Sequence, residues 1–146
     1  MFGNHLKTID EKNRIIIPSQ FREELGEVFY ISLGLDKIVE IRSKSEFDRI
    51  KEKMKANNSL NKNLREFARF FFGNTTEASC DKVGRVVLPK NLLNLVAIKN
   101  EAYLIGVGEK IELWPKERYE EHQSKFMDEN SIDELQNKLF ESGVEL

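Results

Sequence analysis

The side chains that most often carry chemistry are few and scattered in this sequence. His5 and His122 are the only histidines among 146 residues, and neither stands in an H-E-x-x-H zinc motif or beside a G-x-S-x-G nucleophile elbow. Cys80 is the single cysteine, which excludes an internal disulfide and a thiolate zinc site; it reads as a small buried residue before a turn. No Walker loop or G-x-G-x-x-G occurs, and Gly106-Val107-Gly108 reads as a hairpin turn because no helix signal follows it. With 25 Asp and Glu, two carboxylates meeting is expected by chance, and no acid–base constellation accompanies any pair. The expectation is a protein that is not an enzyme and uses no metal or cofactor.

What does recur at fixed spacing is a charged pattern, D-x-x-x-R-x-x-x-P. Asp10, Arg14 and Pro18 return 71 residues later as Asp81, Arg85 and Pro89. Phe2-Gly3-Asn4 likewise returns as Phe72-Gly73-Asn74, and Tyr30 and Lys37-Ile38 as Tyr103 and Lys110-Ile111 at an offset of 73, which implies small loop insertions. Two copies are too few for a solenoid, so the two units are expected to pair with each other. Taken alone, each Asp–Arg pair could simply brace a hairpin, as opposite charges across two strands do. Charge distribution adds a second clue. The net charge of −2 divides into +5 over residues 1–100 (18 Lys and Arg, 13 Asp and Glu) and −7 over residues 101–146 (5 and 12). A basic body with an acidic tail permits an anionic partner, though solvated surface charge would look the same.

The elements that must position these residues follow from local pattern. Leu6 to Ile9 and Arg14 to Ile17 are β-rich runs bridged by Asp10-Glu11-Lys12-Asn13; the second copy bridges with Asp81-Lys82-Val83-Gly84. Asn13 and Gly84 share one rationale, since both adopt left-handed backbone at low cost. The unbroken apolar runs Ile15-Ile16-Ile17 and Val86-Val87-Leu88 predict strands covered on both faces. Pro18 and Pro89 stop those strands. Short helices are predicted over Ser19 to Leu25, closed by Gly26, and over Lys90 to Val96. Second hairpins follow, Val28 to Leu33 with Ile38 to Arg42, and Ala102 to Val107 with Lys110 to Trp114. Apolar spacing then predicts helices over Ser45 to Ala56, Leu60 to Phe72 and Pro115 to about Asp128, and a last helix opening at a Ser131–Glu134 capping box. Composition, 40% hydrophobic with 10 Phe, supports a packed core, and neither a transmembrane run nor a signal peptide is visible, which predicts a soluble cytosolic protein.

Two D-x-x-[GN]-R motifs about seventy residues apart, each between short hairpins, resemble the MraZ family of bacterial transcriptional regulators with tandem SpoVT-AbrB domains. The resemblance runs from Met1-Phe2-Gly3 to Ile111-Glu112-Leu113-Trp114. It implies an α+β fold in which the repeats, at 5–47 and 76–119, pair within one chain as a swapped-hairpin β-barrel, flanked by connecting helices at 48–72 and an acidic helical tail at 120–146. It also implies ring-like homo-oligomers that bind repeated double-stranded promoter sites upstream of the division and cell-wall gene cluster, in the cytoplasm and at the nucleoid. Arg14 and Arg85 match the motif arginines implicated in DNA contact, a role that suits a planar guanidinium able to grip phosphate or read guanine bidentately. Lys12 and Lys82 in the loops would add phosphate attraction, with Lys7 and His5 on the preceding strand as secondary candidates. Asp10 and Asp81, with Asn13 and Gly84, would form the turns. The alternative is an oligomeric protein-interaction scaffold presenting the Phe-rich segment Phe67 to Phe72, although aromatics at helical spacing are more commonly core or subunit interface.

Overall fold

A computed structural model describes residues 1–128 and 130–146; residue 129, within the expected tail, lies outside the described residues. Met1–Pro115 forms one compact unit and Lys116–Leu146 another. The first unit runs β1 (Phe2–Thr8), β2 (Arg14–Ile16), α1 (Ser19–Leu25), β3 (Phe29–Leu33), β4 (Val39–Ser43), α2 (Lys44–Lys55), α3 (Lys62–Gly73), β5 (Thr75–Ala78), β6 (Arg85–Val87), α4 (Lys90–Leu95), β7 (Glu101–Val107) and β8 (Ile111–Pro115).

Local chemistry sets most of these boundaries. Pro18 and Pro89 end the short strands and immediately precede α1 and α4. Helix α1 closes where the Gly26 N–H donates to the Arg22 carbonyl, and its Phe21 and Leu25 are 1% and 2% exposed. Burying each of these side chains stabilises the fold by about 1.5–3 kcal/mol, which outweighs the poor intrinsic stability of a two-turn helix. Helix α4 buries Leu92 and Leu93 in the same way. The hairpin β3–β4 turns through Lys37 at φ 54°, with the Gly34 N–H donating to the Ile38 carbonyl at 2.7 Å. The hairpin β7–β8 closes with the Val107 N–H on the Lys110 carbonyl at 3.0 Å, where the glycine pair predicts a turn.

Pairing across the repeats builds the core. The six-stranded sheet is ordered β1-β7-β8-β4-β3-β5, with every neighbouring pair antiparallel. The first strand of each repeat lies on the third strand of the other: β1 on β7, from Phe2 opposite Val107 to Thr8 opposite Glu101, and β5 on β3, from Phe29 opposite Ala78 to Ser32 opposite Thr75. The two second hairpins meet through β4 and β8 at the centre. A separate two-stranded ribbon joins β2 to β6, setting Arg14 opposite Val87, Ile15 opposite Val86 and Ile16 opposite Arg85. Ile15, Ile17, Val86 and Leu88 from the ribbon region join Ile31, Ile41, Leu104, Ile111 and Leu113 from the sheet in one buried cluster. Glu40 of β4 is buried, ion-paired to Arg42 and Lys110. Aromatic rings tie α2 and α3 down: Tyr30 stacks on Phe47 at 4.2 Å, and Phe71 lies 6.0 Å from both Phe47 and Phe67.

Four local expectations are corrected. The runs around Asp10 and Asp81 do turn, but their flanking strands do not pair as simple hairpins; they part into different sheets because each finds its partner in the other repeat. The ribbon strands are not covered on both faces, since Ile16 and Val87 are 48% and 61% exposed while Ile15 and Val86 are 1% and 2% exposed. Helix α3 begins at Lys62 rather than Leu60, because the Asn61 side chain caps it by accepting from the Asn63 and Leu64 N–H groups, leaving Leu60 81% exposed. The Ser131 capping box does not form.

The second unit contains α5 (Lys116–Phe126) and α6 (Ser131–Glu141), which pack on each other. The His122 ring meets Phe126 edge-on at 5.0 Å. Asn130, not Ser131, occupies the cap position of α6 and makes no side-chain cap bond; the Glu134 N–H donates to the Asn130 carbonyl, so Ser131 already lies inside the helix. No helix among the described residues is long and apolar enough to cross a membrane.

Candidate nucleic-acid interface

The two D-x-x-x-R segments fold into near-identical loops. In the first, one Asp10 carboxylate oxygen accepts from the Lys12 and Arg14 backbone N–H groups at 3.0 and 2.8 Å, and the other accepts from Arg14 Nε at 2.7 Å. In the second, Asp81 accepts from the Val83 and Arg85 N–H groups at 3.0 and 2.9 Å and from Arg85 Nε at 2.8 Å. Backbone bonds close both loops, Asn13 N–H to Asp10 and Gly84 N–H to Asp81, each at 3.0 Å. The residue before each arginine is left-handed, Asn13 at φ 60° and Gly84 at φ 86°. Aspartate is suited to the first position because its short carboxylate reaches back to the N–H groups two and four residues on.

These bonds shape the electrostatics. The backbone N–H of Arg14 is the main cause that holds the Asp10 carboxyl below its usual range; desolvation opposes it, and the Arg14 guanidinium and the Lys12 N–H add to the lowering. The Arg85 N–H and guanidinium do the same for Asp81. Each carboxylate therefore remains charged and fixes its arginine. With Nε engaged, each guanidinium retains its Nη hydrogens for a ligand, and a bidentate contact with phosphate or a guanine edge needs no more than these.

The loops are also tied to each other. The Ile17 N–H donates to the Gly84 carbonyl at 2.9 Å and the Leu88 N–H to the Asn13 carbonyl at 2.8 Å, so the strand leaving each loop is anchored on the turn of the other. Together with the ribbon pairing, this sets Arg14 and Arg85 on one outward face, each opposite an exposed aliphatic residue of the other strand.

Lys12 and Lys82 are exposed in the loops, though not at equivalent positions: Lys12 matches Val83 in the other repeat, and Lys82 matches Glu11. Lys7 and His5 sit elsewhere. Both alternate with the exposed residues of β1, and the His5 ring takes a 3.1 Å hydrogen bond with Gln20 and packs edge-on against Phe21 of α1 at 5.2 Å. The half-buried Cys80 packs against the core before the second loop, and burial pushes its thiol up. Among the described residues, no three His, Cys, Asp or Glu side chains come together as metal ligands.

One supporting residue escapes sequence reasoning. Arg22 of α1 donates from Nε to the Ile17 carbonyl at 3.0 Å, and its guanidinium lies against the second loop so closely that a Cβ on Gly84 would come within 2.7 Å of Cζ. Glycine at position 84 thus meets two demands, a φ of 86° and the close guanidinium, where Asn13 of the first loop sits at φ 60°. The signal was a break in the repeat: 71 residues after Arg22 stands Leu93, buried in the core.

Comparison with known proteins agrees in extent with the internal repeat. The model of the family described as "MraZ protein, putative antitoxin-like" matches twice, over residues 1–70 and 71–141. A Mesomycoplasma hyopneumoniae protein named Transcriptional regulator MraZ is 53% identical over 146 residues, all of both chains. A Mycoplasma mobile protein of the same name is 47% identical over the same full span. One from Clostridium acetobutylicum is 42% identical over 137 residues, 94% of this chain and 96% of its own. With both repeats matched and full-length relatives at this identity, the chain belongs to the MraZ family.

Proposed function

We propose that this chain is a transcriptional regulator of the MraZ type that binds double-stranded DNA sequence-specifically, at repeated promoter sites upstream of the division and cell-wall gene cluster. It acts as a ring-like homo-oligomer in the cytoplasm, associated with the nucleoid, and catalyses no reaction. In this reading the exchanged strands and the β2–β6 ribbon are the swapped-hairpin barrel of a SpoVT-AbrB pair held within one chain. The observation that carries the reading is the side-by-side pair of Asp–Arg loops, matched to about 0.1 Å in their hydrogen bonds and joined through Gly84 and Asn13. Two rigidly held guanidiniums on one face suit a polyanion with a regular repeat better than a small anion.

A single ribbon reaches only a short stretch of groove. Linking several protomers makes later contacts intramolecular and raises avidity by about 10²–10⁴-fold when geometry allows. The deciding experiment compares duplexes carrying none, one and several copies of the promoter repeat at equal salt, with sedimentation to define the assembly. Strong preference for several copies over one is expected. Equal affinity for duplexes with and without the repeat would remove sequence-specific recognition.

The scaffold reading has one observation of its own, an apolar cavity of about 440 Å³ between α2 and α3 lined by Met54, Leu64, Ala68 and Phe72. An oligomer that binds no duplex but captures a protein through this surface would favour it.

A further inference from the structure

The exposure of Ile16 and Val87 is the feature of the ribbon that the arginines do not explain. Arg14, Ile16, Arg85 and Val87 share the outward face in a checkerboard, with Arg14 opposite Val87 and Ile16 opposite Arg85. Ile16 and Val87 are 48% and 61% exposed and lie outside the buried cluster, although their neighbours Ile15 and Val86 are deep within it. The two positions are equivalents 71 residues apart, so both repeats set an uncovered β-branched residue beside a motif arginine.

The occupant of this face must be apolar at two points and anionic around them. A protein partner is disfavoured by size, because a three-residue ribbon is about 10 Å on a side, whereas a stable protein interface buries roughly 800 Å² per partner. The DNA major groove is about 12 Å wide, admits a two-stranded ribbon and carries one apolar feature, the thymine C5 methyl. We infer that Ile16 and Val87 contact thymine methyl groups in the major groove and set part of the sequence preference. This rests on the DNA-binding reading and extends it: Arg14 and Arg85 grip phosphate or guanine while the aliphatic pair selects thymine beside them. The pseudo-equivalent positions of Ile16 and Val87 give one methyl contact per repeat.

The test removes the methyl without removing a hydrogen bond. The promoter duplex with several repeats is synthesised with thymine or with uracil, and affinities are measured for the wild-type protein, for Ile16→Ala/Val87→Ala, and for Arg14→Ala/Arg85→Ala. Each buried methyl contributes about a fourfold change in affinity, so the wild type should prefer the thymine duplex by tenfold or more. The Ile16→Ala/Val87→Ala protein should bind the thymine duplex about as weakly as the wild type binds the uracil duplex, discriminate little between the two, and melt within a few degrees of the wild type because both residues are exposed. Equal wild-type affinities for the two duplexes, or an aliphatic variant that keeps the wild-type preference, would overturn the inference. The DNA-binding reading would survive either result as long as Arg14→Ala/Arg85→Ala abolishes binding. Failure of the wild type to bind either duplex would overturn both.

Discussion

Replacing Gly84 by alanine tests how the second loop is held. Gly84 sits at φ 86°, where an added Cβ costs about 1–2 kcal/mol. The same Cβ would approach Arg22 Cζ to 2.7 Å. The guanidinium is the mobile end of its side chain, so it moves, and the cost is the charge-assisted bond from Nε to the Ile17 carbonyl, about 1.5–3 kcal/mol. Reduced freedom of the unfolded chain returns about 0.4–1 kcal/mol. The expected destabilisation is about 2–4 kcal/mol, read by urea unfolding. A double-mutant cycle with Arg22→Ala separates the contributions, since in that background only the backbone cost of about 1 kcal/mol should remain. Asn13→Gly, at the equivalent turn, should shift stability by less than about 1 kcal/mol. If Gly84→Ala costs the same with and without Arg22, the guanidinium does not set the requirement for glycine and the reasoning is refuted.

Three further outcomes follow from the interface. Arg14→Ala and Arg85→Ala should each weaken promoter binding by about 10–100-fold while leaving the melting temperature nearly unchanged, because Asp10 and Asp81 still hold the backbone N–H groups of their loops; marked destabilisation with unaltered affinity per folded protein would show that the arginines only brace. Promoter affinity should fall steeply with salt, and Lys12→Ala and Lys82→Ala should each flatten that slope by about one unit if the exposed lysines displace counterions from phosphate; an affinity insensitive to ionic strength would contradict this. The Asp10 and Asp81 carboxyls lie below 3.8 in the folded state, so the stability they contribute is complete above pH 3.8 and is lost as pH falls through their lower folded values. A carboxyl carbon NMR titration should give both midpoints below 3.8, and a midpoint at or above it for either residue would break the link between loop geometry and charge.

Sequence alone was enough for whatever depends on neighbours a few residues apart. The 71-residue offset is read from the residues directly, and helix α1 between Pro18 and Gly26, the turns at Lys37 and Gly108, and the left-handed positions at Asn13 and Gly84 follow from backbone sterics and short-range hydrogen bonding. The start of α3 was legible in principle through Asn61, but the apolar spacing of Leu60 masked it. Tertiary structure decided the rest. Nothing near Phe2 to Thr8 distinguishes β2 from β7 as a partner, because any strand satisfies the same N–H and C=O groups. The unbroken triplets Ile15-Ile16-Ile17 and Val86-Val87-Leu88 point to two covered faces, and only the position of the ribbon against the cluster leaves Ile16 and Val87 uncovered. Arg22 reaches Gly84 across 62 residues of chain, a contact made possible when the two repeats exchange strands and bring α1 of one beside the loop of the other. Local rules thus fixed the shape of each loop, while pairing between the repeats placed the two loops together, since loop shape is set by bonds within five residues and loop placement by burial of a core that both halves share.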